Sequence, residues 1–177
     1  MPAGLSLVAG LALALTFEKL GVDGVQLKWP NDVLVNGHKL AGILVELLPG
    51  RGRTPAAVIG IGINMEIPQG VRIPGQAGVT DLTRELGTAP GREALLAAVL
   101  TDLHTLLQTY AAAGFGALRG AWQQRNAFAG LPVQISGEGS TVCGICIGTD
   151  EDGALLIRSD SGVVRILSGE VSLRPQP

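Results

Sequence analysis

Lys28, Asn31 and Asp32, followed by Lys39 and Gly42, set two ammonium groups, a carboxylate and an amide into a stretch that otherwise reads as apolar strand. A carboxylate and an ammonium in an apolar sheet are costly unless they pair or meet a charged ligand. Further on, residues 58–65 alternate: Ile59, Ile61, Ile63 and Met65 form one face, and Val58, Gly60, Gly62 and Asn64 the other. Glycine repeated on one face of a strand gives up packing and suits a surface where something must approach the backbone closely. A flat, charged ligand such as a nucleotide fits that pattern. Gly60 and Gly62 do not make a dinucleotide fingerprint, because the third glycine and the following helix are missing.

These groups depend on a hairpin. Asn36-Gly37 is the dipeptide best suited to a two-residue type I′ turn, and it lies between the apolar runs 32–35 and 38–47. With that turn Val35 faces His38, Leu34 faces Lys39, Val33 faces Leu40 and Asp32 faces Ala41. Opposed residues share a face. One face then carries Asp32, Leu34, Lys39, Ala41, Ile43 and Val45, and the other Val33, Val35, Leu40, Gly42, Leu44 and Glu46. Asp32 and Lys39 become diagonal neighbours, either as a structural ion pair at a sheet edge or as the charged part of a site.

Around the hairpin the pattern alternates between helix and strand. Residues 1–20 read as a buried amphipathic helix ending at Gly21; they lack the positive start of a signal peptide and the length of a membrane span. Residues 24–30 form a short strand closed by Pro30. After the glycine strand, residues 66–79 are a long loop, and Thr80 caps a short helix that Gly87 stops. A longer helix buries Leu95, Leu96, Val99, Leu100, Leu103, Leu106, Leu107 and Tyr110 on one face, with His104 at its edge in a structural role. Residues 117–128 give one more helix. From Leu131 onward, four or five short strands separated by turns predict a small β-barrel, with a domain boundary near Gly130. Cys143 and Cys146 lie three apart on one of those strands and so point to opposite faces, which favours packing over a metal site.

The chain of 177 residues is 46% hydrophobic and 16% charged, with a net charge of -2, as expected of a globular protein. Its thirteen Lys and Arg are scattered, so no nucleic-acid partner is expected. With neither a signal peptide nor a membrane span read in residues 1–20, a cytoplasmic location and no membrane partner are expected.

The order Lys28-Trp29-Pro30-Asn31-Asp32, Lys39 before Leu40-Ala41-Gly42, and Gly60-Ile61-Gly62-Ile63-Asn64 resembles the central domain of the biotin protein ligases. The last strands, ending Gly169-Glu170-Val171-Ser172-Leu173-Arg174, are similar to that family's SH3-like C-terminal domain. The resemblance implies an α+β fold: a mixed, largely antiparallel sheet with packed helices, class II synthetase-like and incomplete, in residues 1–129, then an SH3-like β-domain in residues 130–177. It implies a reaction in which biotin and ATP give biotinyl-AMP and pyrophosphate, after which a lysine of a biotin carboxyl carrier domain takes the biotinyl group. Lys39, Asp32 and Lys28 would be catalytic. Lys39, Gly42, Ile43, Gly60 and Gly62 would bind biotin, and Lys28, Asn31 and Asn64 would bind ATP. Asp32 would either bind Mg²⁺ or position a lysine, and a homodimer is compatible with the family.

Members of the family carry, upstream of the Lys28 motif, a substrate loop with a Gly-Arg-Gly-Arg core. This chain has those letters only downstream, at Gly50-Arg51-Gly52-Arg53, where they read as a solvated hairpin loop. The expectation is therefore an N-terminally truncated ligase, or else a non-catalytic remnant or half of a split ligase that binds nucleotide or carrier without turning over alone. The family's helix-turn-helix domain is likewise absent, so repression of transcription is not expected.

Overall fold

The computed structural model describes residues 3–48, 50, 56–68, 78–137, 140–167 and 172–175. The Gly-Arg-Gly-Arg loop and most of the 66–79 loop lie outside them. The elements in chain order are α1 (Ala3–Lys19), β1 (Val25–Lys28), β2 (Asp32–Val35), β3 (His38–Leu48), β4 (Ala56–Ile63), α2 (Leu82–Leu86), α3 (Arg92–Ala113), α4 (Gly116–Gln123), β5 (Pro132–Gly137), β6 (Ser140–Thr149), β7 (Leu155–Ser159), β8 (Gly162–Ile166) and β9 (Ser172–Pro175). The α+β class follows from two antiparallel sheets and the helices packed on them. The first sheet has the order β1-β2-β3-β4, and the second β8-β7-β6-β5-β9, the small C-terminal sheet expected of an SH3-like unit. No helix among the described residues is long and apolar enough to cross a membrane.

The β2–β3 hairpin turns at Asn36 and Gly37, whose φ angles of 48° and 81° are both positive, as a type I′ turn requires. Val35 pairs with His38 and Leu34 with Lys39, as the turn predicts. The ladder then slips by one residue, so that Val33 pairs with Ala41 and Asp32 with Gly42. This β-bulge overturns part of the expected face assignment: Gly42, not Ala41, stands opposite Asp32. The physical reason is the apolar doublet Leu40-Ala41. Both residues are buried, and a strand that alternates strictly would expose one of them.

Helix α1 departs from the amphipathic expectation. Leu7, Val8, Ala9, Leu11, Ala12, Leu13, Ala14 and Phe17 are all buried, which covers nearly every side, because α1 packs on β1, β2 and β3 and also meets α3 and α4. Its last turn gives way at Leu20 and Gly21, with Gly21 at φ 94°. On α3 the buried positions are Leu95, Val99, Asp102 and Leu106, whereas Leu96 and Leu100 are exposed. The buried stripe is therefore rotated from the expected one and contains an aspartate. Asp102 accepts a hydrogen bond from Thr16 Oγ1 at 2.8 Å and pairs with the Lys19 ammonium, tying α3 to the end of α1. His104 faces solvent.

Burial alone would raise the Asp102 pKa. The hydrogen bonds from Lys19 and Thr16, together with the Lys19 charge, outweigh it and hold the carboxyl below its ordinary value of 3.8. A depressed native pKa adds stability that is fully present above the unfolded value and is lost as pH falls through the native one. Asp102→Asn is expected to cost about 1–3 kcal/mol at neutral pH. The gap between the two proteins should then close below about pH 4 in urea unfolding measured at several pH values.

The helix α2 cap also differs from expectation. Asp81, not Thr80, is the N-cap: its side chain accepts from Arg84 N at 2.9 Å, and it also takes the Ile67 N–H at 3.1 Å. A carboxylate at that position reaches two free N–H groups, while the Thr80 hydroxyl turns to Glu85. Gly87 stops the helix with φ 78°. In the C-terminal sheet, Cys146 is buried and Cys143 exposed, on opposite sides of β6 as their spacing predicts. The two sheets meet at buried Trp29, whose indole Nε1 donates to Gly153 O at 3.0 Å, and share one continuous core.

Candidate functional site

Reading across the first sheet, the register pairs Lys28 with Asp32, Asp32 with Gly42 and Gly42 with Gly62. These four residues form one lateral row on the face of the sheet turned away from α1. The next row sets Leu44 against Gly60 and is followed by Glu46 against Val58. Gly60, Gly62, Leu44 and Val58 are exposed, so the glycines leave bare backbone beside the charged end of the row.

Lys39 joins this face through the bulge. In an unbroken strand Lys39 and Gly42 would point to opposite sides. Here the Lys39 ammonium reaches over Gly42 to Asp32: Nζ lies 2.5 Å from Asp32 Oδ1, and a Cβ added at Gly42 would stand 3.1 Å from that nitrogen. Lys28 Nζ approaches the other carboxylate oxygen at 3.9 Å. Asp32 thus sits between two ammonium groups, each side chain under a third exposed. The chain has three lysines in all, and two of them meet here.

Gly42→Ala should leave the fold intact, because the added methyl meets the end of a flexible side chain and not backbone. It should displace the ammonium from Asp32, and a displacement of that order weakens a positioned contact by at least about tenfold. Lysine acetylation read by mass spectrometry, beside an unchanged thermal melt, checks both halves.

The two asparagines are anchored. Asn31 Nδ2 donates to Ile43 O at 2.9 Å, while Ile43 N donates to Asn31 O at 2.9 Å. Asn64, expected on the glycine face of the strand, lies just beyond its end. Its Nδ2 donates to Lys39 O at 3.2 Å and to Thr80 O at 3.0 Å. With each nitrogen committed to a carbonyl, the carboxamide oxygen is the atom left to accept a hydrogen bond. Ile43 does not come to this face. It is 4% exposed and packs toward Gly10 of α1, sharing the core side with Ile61, its partner on β4.

A recess of about 150 Å³, its open mouth included, lies on the α1 side of the sheet between Ser6, Leu7 and Gly10 of α1 and Leu27, Ile43 and Trp122, with Lys28, Asn31 and Asp32 at its edge. That is below the size of a pocket that encloses a nucleotide or a vitamin, so a ligand of that size would lie over the open face. Both Asp32 oxygens approach ammonium groups, Lys39 Nζ at 2.5 Å and Lys28 Nζ at 3.9 Å. Among the described residues no three His, Cys, Asp or Glu side chains cluster as metal ligands.

Sequence reasoning missed the supports of Lys39. Lys39 N donates to Gly78 O at 3.1 Å and Thr80 N donates to Lys39 O at 3.0 Å. These partners follow a long loop, and no local signal marks them.

Comparison with known proteins gives the same direction at each level. Residues 4–64 match the biotin/lipoate A/B protein ligase family, and residues 129–174 the biotin protein ligase C-terminal domain. The bifunctional ligase/repressor BirA of Escherichia coli is 36% identical over 172 residues, covering 97% of this chain and 53% of the relative. The biotin–[acetyl-CoA-carboxylase] ligase of Paracoccus denitrificans is 36% identical over 179 residues, covering 96% of this chain and 72% of the relative. Among solved structures, biotin protein ligase from Aquifex aeolicus in complex with biotin and ATP superposes with TM-score 0.84 at 32% identity, covering 98% of this chain and 72% of that one. The chain therefore spans about half the length of the bifunctional relatives it matches, and about three quarters of the shorter ones.

Proposed function

The chain belongs to the biotin protein ligase family, and from that premise we propose that it is the greater part of an ATP-dependent biotin ligase. In this reading residues 1–129 are a partial catalytic domain and residues 130–177 an SH3-like C-terminal domain. The biotin carboxylate attacks the α-phosphate of ATP, the bond to the leaving pyrophosphate breaks, and biotinyl-AMP forms. A lysine of a biotin carboxyl carrier domain then takes the biotinyl group and AMP leaves. The reaction is placed in the cytoplasm.

The observation that carries this proposal is the row Lys28–Asp32–Gly42–Gly62, with the Lys39 ammonium above Gly42. Carboxylate attack on a phosphate brings two anions together, and Lys39 is the ammonium that meets both. Lys28, at the other side of Asp32, offsets further phosphate charge. Asp32 keeps the two ammonium groups apart and aimed. Gly42, Gly60 and Gly62 leave backbone open for the biotin rings and chain. Asn31 and Asn64 present carboxamide oxygens to the adenine amino group. Mg²⁺ would enter with the phosphates of ATP.

A second reading has one observation in its favour, the greater length of the relatives: the chain folds and binds ligand but turns over only together with further sequence of the kind they carry. Pyrophosphate exchange with biotin and ATP separates the two. Exchange by the chain of 177 residues supports a self-sufficient ligase; exchange only after extension supports the second. No exchange in either, with biotin bound by neither, would sink the ligase proposal itself.

A further inference from the structure

The bulge that turns Lys39 onto the glycine face leaves a gap in the sheet. Pairing of β3 with β4 begins at Ala41; beyond it Lys39 is bridged to Val79, and the Leu40 backbone between the two pairings is left to Asn64. Four hydrogen bonds fill the gap around a single residue. Asn64 N donates to Leu40 O at 2.9 Å. The Asn64 carboxamide nitrogen bridges Lys39 O at 3.2 Å and Thr80 O at 3.0 Å. Leu82 N then donates to Asn64 O at 3.0 Å, joining the same residue to the first turn of α2. Both atoms facing Nδ2 are carbonyl oxygens, so the amide orientation is set by chemistry.

We infer that Asn64 is a positioning residue for Lys39: its side-chain amide ties the Lys39 carbonyl to that of Thr80 where the β4 pairing gives way to the Val79 bridge, and thereby holds the bulge that aims the ammonium at Asp32. The significance of this rests on the ligase reading, but the contact does not. Asn64 serves the site through its nitrogen, whatever its oxygen meets. An aspartate of the same shape would set a carboxylate against two carbonyl oxygens, and alanine would leave Lys39 O with Thr80 N alone.

The chain's three lysines make this measurable without substrate. Brief acetylation with acetic anhydride, read by mass spectrometry, reports the exposure of each ammonium. Lys19, paired with Asp102 on the far side of α1, is the internal reference. In folded Asn64→Ala the Lys39-to-Lys19 labelling ratio should rise about fivefold, the factor in an equilibrium that one typical internal hydrogen bond controls. Asn64→Asp should raise it at least as much. An unchanged ratio in either variant, with a native thermal melt, overturns the proposal. So does loss of the cooperative melt with all three lysines labelled in both variants, which would make Asn64 a folding residue. Neither biotin nor ATP enters the measurement, so its failure would leave the ligase reading standing, and a failed exchange assay would leave this one standing.

Discussion

In a chain extended upstream to the length of its relatives, Lys39→Ala should lower biotinyl-AMP formation by about 10²–10³, the usual cost of losing one preorganised charge contact made in the transition state. Three features of the site make that lysine matter more than the other cations. It is fastened at its backbone by Gly78, Thr80 and Asn64. Its ammonium is held at 2.5 Å from Asp32, with the side chain 29% exposed, so little rotamer freedom is lost when a substrate arrives. It also overhangs the row in which Gly42 and Gly62 stand side by side without side chains. Arg51, in the Gly-Arg-Gly-Arg stretch outside the described residues, serves as the contrasting mutant: Arg51→Ala should change exchange little. A crippled Arg51→Ala beside a near-normal Lys39→Ala would move the active site off the hairpin.

Much of this site could be read from residue types, and the part that could not has a definite cause. The Asn36-Gly37 turn sets the first two pairs of the hairpin, because two residues in the left-handed region leave little choice of geometry. That Asp32 and Lys39 share a face was legible for the same reason, yet the path to it was not the expected one. Period-2 counting put Gly42 on the opposite side, since it assumed that no residue slips. The bulge was written in the doublet Leu40-Ala41, two buried apolar residues in succession, but such a doublet also occurs in strands buried on both faces. On α3 the count of leucines pointed to a stripe including Leu96 and Leu100. A polar residue decided otherwise: Asp102 has partners on α1, Thr16 and Lys19, that are far away in the chain, and no local pattern shows that a carboxylate will be satisfied. The same holds for Asn64. Its side chain reads as a ligand group in the sequence, whereas its hydrogen bonds to Lys39 O and Thr80 O depend on where the segment after the long loop returns.

Trp29 is the residue through which the C-terminal sheet reaches the site, and its replacement should have the largest effect on stability. It lies between Lys28 and Pro30, is 1% exposed, and donates its indole N–H to Gly153 O in the turn between β6 and β7. Gly153 cannot easily give way, because it has φ 89° and a Cβ there would stand 3.0 Å from Leu7 and 3.1 Å from the backbone of Gly4. Trp29→Ala empties a large core volume, about 3–5 kcal/mol, and leaves a buried carbonyl without its donor. Against a total of about 5–15 kcal/mol for an ordinary domain, that removes a large fraction of the stability. Trp29→Phe is the milder test, since it keeps an aromatic ring in the core while removing the N–H donor and part of the indole's volume. Its expected cost is about 1–2 kcal/mol, seen as a lower urea midpoint with Trp122 fluorescence as the reporter. The same variant should weaken ligand binding at Lys28, because the strand end that carries this lysine loses its tie to the second sheet. An unchanged midpoint would mean that the indole only fills space. The C-terminal sheet would then be attached to the site by packing alone, and Lys28 would owe its position to the hairpin and not to the contact 124 residues away.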